Sequence, residues 1–292
     1  MIIQFDSSIS VSRKIMLATD LTPAADRAFD RAVKLASEWD AELTVLHVVE
    51  ASSARSWRLD RRIHIAEREM ARLVRTAAQP GKFVHHTTFG DPAERILSHA
   101  RESGCDFLIT GPAHGKIMGE KLLGSTTARM VRRASIPVLA VRRRQEGPYS
   151  TIVSAVDFSD TSRQAFETGT VLFPSAQFTT LHAYLISPNW GGRNADRSIN
   201  TIECEERERS LKKAQETMED FLASTAARTS TLILEGDPQA VLSELVEKNW
   251  PDLVIAGTHG RSPIEHGTIG SVAELYLMTL PCDVLVVPTR QN

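Results

Sequence analysis

The sequence predicts an α/β protein of two tandem domains, each a doubly wound, five-stranded parallel sheet, and three observations lead there. The chain repeats itself at domain length, each half alternates short β-branched runs with helical segments, and 292 residues is about twice the roughly 150 typical of one domain.

The repeat is read from aligned residues. KIMLATDLTPAADRAF from Lys14 aligns with TIVSAVDFSDTSRQAF from Thr151, pairing Ile15 with Ile152, Asp20 with Asp157 and Phe29 with Phe166. Thr44-Val45-Leu46-His47 faces Thr179-Thr180-Leu181-His182, and Gly90-Asp91-Pro92 faces Gly236-Asp237-Pro238. The offset of that last pair also carries Asp106 to Asp252, Gly111 to Gly257, Gly124-Ser125 to Gly270-Ser271 and Val138-Leu139 to Val284-Leu285. One insertion between His182 and Gly236 explains most of the drift, and Ser187 to Asn200, rich in Gly, Asn and Ser, has the composition of a surface loop. A unit of about 140 residues is domain-sized and too long for a solenoid repeat. Domains are expected at 1–146 and 147–292, with the junction near Gln145-Glu146-Gly147-Pro148.

The strands follow in order. In the first half the apolar runs are Ile15 to Ala18, Leu43 to Val49, Phe83 to Thr88, Phe107 to Thr110 and Val138 to Val141. In the second they are Ile152 to Val156, Phe178 to Tyr184, Leu232 to Leu234, Leu253 to Ala256 and Val284 to Val287. They are short and β-branched, as buried parallel strands are. Between them, segments such as Ala24 to Trp39 and Leu211 to Ser224 carry apolar residues at helical spacing. Strand-helix alternation implies right-handed βαβ units. Thr22-Pro23 and Asp91-Pro92 read as helix starts, each a capping side chain followed by proline at the first helical position.

Composition narrows the function. Lys+Arg total 34 against Asp+Glu 36, for a net charge of -2, which argues against a nucleic-acid binder or a polybasic membrane anchor. No apolar run reaches the roughly 18 residues of a membrane span, and MIIQFDSSISVSRK lacks the basic and apolar regions of a secretory signal. Cys105, Cys204 and Cys282 are too few and too scattered for a disulfide framework. A reducing, cytoplasmic setting is expected.

In an open α/β sheet, ligands bind beyond the carboxyl ends of the strands, where strand order reverses. Two features are expected there: the acidic residue that ends the first strand, Asp20 or Asp157, for which a turn cap is the alternative reading, and the segment GTHGRSPIEHGTIGS from Gly257 to Ser271. Gly257 and Gly260 allow close backbone approach, and Gly270-Ser271 opens a helix whose free N–H groups favour an anion such as phosphate. Ser271 adds a hydroxyl donor.

The spacing Gly257-x2-Gly260-x9-Gly270-Ser271, after the strand Leu253 to Ala256, resembles the nucleotide-binding signature of the universal stress protein family. The resemblance covers nearly the whole chain, twice over. It implies a Rossmann-like fold of the adenine nucleotide alpha hydrolase-like type, with the acidic residue near adenine and the glycine loop around ribose and phosphates. Carried over by position, the second half offers Asp157, Gly257, Gly260, Gly270 and Ser271, with Ala183 and Val272 as weaker neighbours. ATP is the expected ligand, with or without magnesium, and AMP or cyclic AMP are the alternatives. The resemblance also implies pairing of domains through their last strands, within one chain or between two, which would protect an apolar edge.

The first half departs from the pattern. Its loop reads GPAHGKIMGEKLLGST, with His114 at the second glycine position, Gly115 one residue late, and Pro112 removing an N–H. Asp20, Gly111, Gly115, Gly124 and Ser125 therefore form a lower-grade set, and one dominant site is expected.

Other motifs point away from catalysis. Gly111 to Lys116 has one residue too few between its glycines for a phosphate-binding P-loop, and Ile117 follows where Ser or Thr would hold magnesium. No GxSxG elbow and no HExxH occurs, and the strand ends lack GxGxxG. His47 and His182 recur at equivalent places on a buried strand and read as satisfied core histidines. His85 and His86 alternate faces, so they do not converge on one metal. The charged run Glu203 to Arg209 reads as a solvated helix face. The expected function is a nucleotide-dependent regulator or interaction module with at most weak ATP hydrolysis and unknown protein partners. The alternatives are an adenine-nucleotide or cyclic AMP sensor without turnover, and an adenylating enzyme. The last lacks the serine-glycine-rich loop it needs after the first strand, where Leu21-Thr22-Pro23 and Phe158-Ser159-Asp160 stand.

Overall fold

A computed structural model describes residues 13–50, 56–76, 83–112, 117–118, 121–122, 126–144, 146–186, 198–223, 225, 227–249, 251–258 and 271–289. By internal contact the chain divides into two units, Met1–Pro112 with Arg144–Glu146, and Ala113–Arg143 with Gly147–Asn292.

In the first unit β1 (Lys14–Thr19), α1 (Asp26–Glu38), β2 (Glu42–Glu50), α2 (Ser56–Arg75), β3 (Phe83–Gly90), α3 (Pro92–Glu102) and β4 (Phe107–Thr110) follow one another. The strands lie parallel in the order β3-β2-β1-β4. Central strands are apolar on both faces because helices cover both: Ile15, Met16 and Leu17 of β1 and Leu108 and Ile109 of β4 are fully buried. At the edge, β3 leaves Val84, His85 and His86 exposed. Helix α1 buries Ala28, Phe29, Ala32, Leu35 and Ala36, one stripe at helical spacing. Helix α3 starts as its sequence predicts, with Asp91 accepting from the Glu94 amide at 3.0 Å and Pro92 at the first helical position.

The start of α1 corrects the expectation at Thr22-Pro23. The helix begins at Asp26 with Ala25 as its cap and no side-chain capping bond. The amide and hydroxyl of Thr22 both donate to Asp20. Residues 23–25 instead make a tight turn closed by the Ala25 amide on the Thr22 carbonyl.

The second unit opens with a small antiparallel pair, β5 (Ile117–Met118) and β6 (Lys121–Leu122), then α4 (Thr126–Arg133) and β7 (Val138–Ala140). It continues with β8 (Thr151–Ala155), α5 (Asp160–Leu172), β9 (Gln177–Tyr184), α6 (Ser198–Ala223), β10 (Thr229–Glu235), α7 (Pro238–Asn249), β11 (Leu253–Gly257), α8 (Ser271–Thr279) and β12 (Asp283–Val287). The order is β10-β9-β8-β11-β12-β7, parallel except for β7, which runs antiparallel to β12 with Leu139 opposite Leu285. The last strands of the two sequence repeats thus pair within one chain. The end of the insertion, Ser198 to Asn200, is the first turn of α6, while 187–197 lie outside the described residues.

Asp283 holds the β7–β12 junction. It is fully buried, accepts from the amides of Arg142 (2.7 Å) and Arg143 (2.9 Å), and accepts from the Tyr149 hydroxyl at 2.6 Å. A buried carboxylate is tolerated when its lone pairs are taken up by donors in this way. Helix α5 lies close on β11 because glycine stands on both sides of the contact. A Cβ built at Gly169 would come within 2.4 Å of Ile255 Cδ1, and one at Gly257 within 2.7 Å of Thr161 Cγ2. Among the described residues no helix is long and apolar enough to cross a membrane.

Candidate functional site

Strand order reverses between β1 and β4 in the first unit and between β8 and β11 in the second. At these points loops leave a sheet in opposite directions and open a crevice at the carboxyl ends of the strands. Asp20 follows β1 and Asp157 follows β8. Gly111 follows β4 and Gly257 ends β11. Each switch point therefore brings together one predicted carboxylate and the first glycine of one predicted loop.

The carboxylates sit in the same turn. Asp157 Oδ1 accepts from the Ser159 amide at 3.1 Å and from the Ser159 hydroxyl at 2.6 Å. Asp20 Oδ1 accepts from the amide and hydroxyl of Thr22 at 3.0 and 2.6 Å. The residue after each aspartate has left-handed backbone, Leu21 at φ 61° and Phe158 at φ 64°. For a residue with a Cβ that conformation costs about 1–2 kcal/mol and persists only where the surroundings enforce it. The carboxylate is thus drawn back over its own turn.

A second constraint comes from the neighbouring strand. His47 Nδ1 lies 2.8 Å from the Thr19 carbonyl oxygen, and His182 Nδ1 lies 2.8 Å from the Val156 carbonyl oxygen. A carbonyl only accepts, so each ring carries its proton on Nδ1. Both histidines are half-buried. They are satisfied, as their place in the sequence predicts, but by a strand-end carbonyl and not inside the core. In the second unit the Phe158 ring packs on His182 with centroids 4.1 Å apart, and 5.7 Å from Phe221 of α6. Arg163 fixes Phe221 in turn, its guanidinium 4.3 Å over the ring and donating to the Phe221 carbonyl.

The two first glycines differ. Gly257 is needed for packing, because a Cβ there would also lie 3.2 Å from the Thr161 carbonyl carbon and oxygen. At Gly111 the nearest atom to an added Cβ is Ala25 Cα at 3.8 Å, an ordinary contact. The first turn of α5 therefore closes down on the strand end, with Ser159 as its cap accepting from the Ser162 amide. Beyond Gly257, Thr258 is buried, and its amide donates to the Val287 carbonyl. Ala183 is half-buried on β9 opposite Leu234, and Val272 is the second residue of α8. Gly260, Gly270, Gly115, Gly124 and Ser125 lie outside the described residues, as does the side chain of Ser271.

Burial pushes the thiols of Cys105 and Cys282 up to about 11 and about 12, so neither supplies a thiolate near neutrality. No group of three or more His, Cys, Asp or Glu residues is placed to hold a metal ion among the described residues. His86 lies against His99 with ring centroids 4.9 Å apart, and among the described residues no third ligand joins them.

Known proteins share both the sequence pattern and the fold. The model of the universal stress protein family matches residues 12–142 and again residues 148–288. Universal stress protein YxiE of Bacillus subtilis is 29% identical over 145 residues, covering 44% of this chain and 98% of the relative. Universal stress protein MJ0531 of Methanocaldococcus jannaschii is 31% identical over 153 residues, covering 51% of this chain and 87% of the relative. A universal stress protein from Archaeoglobus fulgidus superposes with a TM-score of 0.66 at 17% identity, covering 96% of this chain and all of that one. Single-length relatives thus match about half the chain, and a solved structure matches it nearly end to end.

Proposed function

We propose that this chain, which belongs to the universal stress protein family as a tandem, two-domain member, binds ATP at the β8/β11 switch point and acts as a nucleotide-dependent regulator or interaction module with little or no catalysis. The observation that carries the reading is the Asp157 turn beside Gly257, at the mouth of the segment that runs through Gly260 to Gly270-Ser271. In this reading the Asp157 carboxylate accepts from the exocyclic amine of adenine, with Ala183 alongside on the next strand. The loop supplies backbone N–H groups, Ser271 a hydroxyl, and the amino end of α8 a favourable dipole for the phosphates, next to Val272. Magnesium, when it accompanies ATP, would be held by the phosphates, since the described residues offer no carboxylate cluster.

The halves are proposed to be unequal. Domains at 1–146 and 147–292 carry the same Asp turn, but the first loop has Pro112 and His114 where the second has Thr258 and Gly260. The dominant site is therefore assigned to the second half, with Asp20, Gly111, Gly115, Gly124 and Ser125 as the weaker copy. Mass spectrometry of the small molecules released by heating the purified protein tests the ligand. An adenine nucleotide in the supernatant, and a thermal shift on adding ATP, support the proposal. At ligand about 100-fold above its dissociation constant the stabilisation is about 2.7 kcal/mol. Release of no nucleotide, with no shift on adding ATP, AMP or cyclic AMP, refutes it.

A further inference from the structure

The aspartate turn occurs twice, and in both copies the same outside group holds it. The carbonyl immediately before the aspartate, on the last residue of β1 and one residue beyond β8, takes an imidazole donor from the neighbouring strand: Thr19 from His47 and Val156 from His182, each at 2.8 Å. The residue immediately after the aspartate is left-handed in both copies, although one is leucine and the other phenylalanine. Neither residue type favours that conformation, so local preference does not set the turn. The shared features are the histidine on one side and the aspartate's own bonds to Thr22 or Ser159 on the other.

In the second copy the histidine brackets the carboxylate. His182 Nδ1–H donates to the residue before Asp157, and its ring carries the side chain of the residue after it, Phe158, at 4.1 Å between centroids. Phe158 rests in turn against Phe221, which Arg163 pins through both its ring and its carbonyl. We infer that His182, and His47 in the first copy, are positioning residues that hold the strand-end carbonyl and so fix the turn that presents Asp157 and Asp20 to the ligand. For His182 the consequence for affinity rests on the nucleotide reading of the Asp157 site; the consequence for the turn does not.

Two variants separate donor from ring. His182→Phe keeps an aromatic surface for Phe158 and loses the donor, and His182→Asn returns an N–H at the reach of Nδ1 without the ring. The full chain is read by calorimetric titration with ATP and by amide hydrogen exchange at Ser159, whose N–H donates to Asp157. Loss of one such hydrogen bond is expected to weaken ATP binding about tenfold in His182→Phe and to speed Ser159 exchange by a similar factor. Amides in the middle of α5 should keep their protection, and His182→Asn should bring both readouts back towards the wild type. His47→Phe should speed exchange at the Thr22 amide, which donates to Asp20. Unchanged Ser159 exchange in His182→Phe overturns the inference, as does a His182→Asn variant as impaired as His182→Phe or unable to fold. Faster exchange with unaltered ATP affinity reduces His182 to a structural cap and overturns the positioning role. A wild-type chain that takes no ATP defeats the nucleotide reading instead, and the exchange measurements still decide whether the histidine holds the turn.

Discussion

Gly257→Ala and Gly111→Ala change equivalent positions in the two repeats and should move stability in opposite directions. At 257 the new methyl would lie 2.7 Å from Thr161 Cγ2, about 1 Å inside the 3.5–4.0 Å at which carbon atoms attract, and 3.2 Å from the Thr161 carbonyl carbon and oxygen. Two of those three atoms are backbone, so rotating one side chain does not relieve the contact, and the first turn of α5 must lift off β11. Overpacking of this kind costs about 1–3 kcal/mol, or a fall of roughly 2–10 °C in melting temperature for a chain of this size. At 111 the nearest atom is 3.8 Å away and the backbone lies outside the left-handed region. Alanine there should therefore stabilise by about 0.4–1 kcal/mol through the unfolded chain. Thermal unfolding followed by circular dichroism measures both. Adding Thr161→Ser to Gly257→Ala removes Cγ2 and should recover part of the loss. Because α5 carries Ser159, the displaced helix should also loosen the Asp157 turn and weaken ATP binding. Two variants of equal stability, or a Gly257→Ala chain as stable as the wild type, would refute the packing argument.

Other perturbations read other contacts. Gly169→Ala should destabilise by about 1–3 kcal/mol, because its Cβ meets Ile255 Cδ1 at 2.4 Å, and Ile255→Val, which lacks that atom, should restore most of the loss in the double variant. Tyr149→Phe removes the 2.6 Å bond to the buried Asp283 and should cost about 1.5–3 kcal/mol in denaturant unfolding. Asp252 and Asp106, equivalent residues before β11 and β4, should respond oppositely to pH. Burial alone would raise the Asp252 pKa, but bonds from Ser150 and Thr151 outweigh it and hold it low. Its stabilisation is therefore present above the unfolded value of about 3.9 and lost as pH falls through the lower folded value. Burial raises the Asp106 pKa, so its ionisation disfavours the fold, and stability tied to it is lost as pH rises through the folded value. Asp252→Asn should thus lower the unfolding midpoint at pH 7 and lose its effect in acid, while Asp106→Asn should leave the pH 7 midpoint unchanged or raise it.

Burial and capping signals in the sequence reach most of the fold. Runs such as Phe107 to Thr110 and Leu253 to Ala256 are buried on both faces, and continuous apolar character marks central parallel strands. Asp91-Pro92 names its helix start because a cap and its proline act within four residues. Thr22-Pro23 carries the same chemistry and does not start a helix: a tight turn, closed by the Ala25 amide on the Thr22 carbonyl, comes first, and α1 begins at Asp26. The antiparallel pairing of β7 with β12 follows the resemblance to a family and not strand composition, since Val138 to Ala140 would suit either direction. At the site, the repeat and strand order locate Asp20, Asp157, Gly111 and Gly257. Left-handed Leu21 and Phe158 are illegible, as neither residue type signals φ above zero. The roles of His47 and His182 are equally hidden, since a backbone carbonyl contributes nothing to a sequence pattern. Their recurrence at equivalent positions was the one available signal. The second role of Gly257, space for Thr161, emerges only from helix placement.

Calorimetric titration of the full chain with ATP and magnesium, repeated on Asp157→Ala, tests the central claim most directly. One dominant site per chain, lost or greatly weakened in the variant, is the predicted result. No heat of binding at any nucleotide concentration, or two equal sites abolished separately by changes at Gly115 and Gly260, would contradict it.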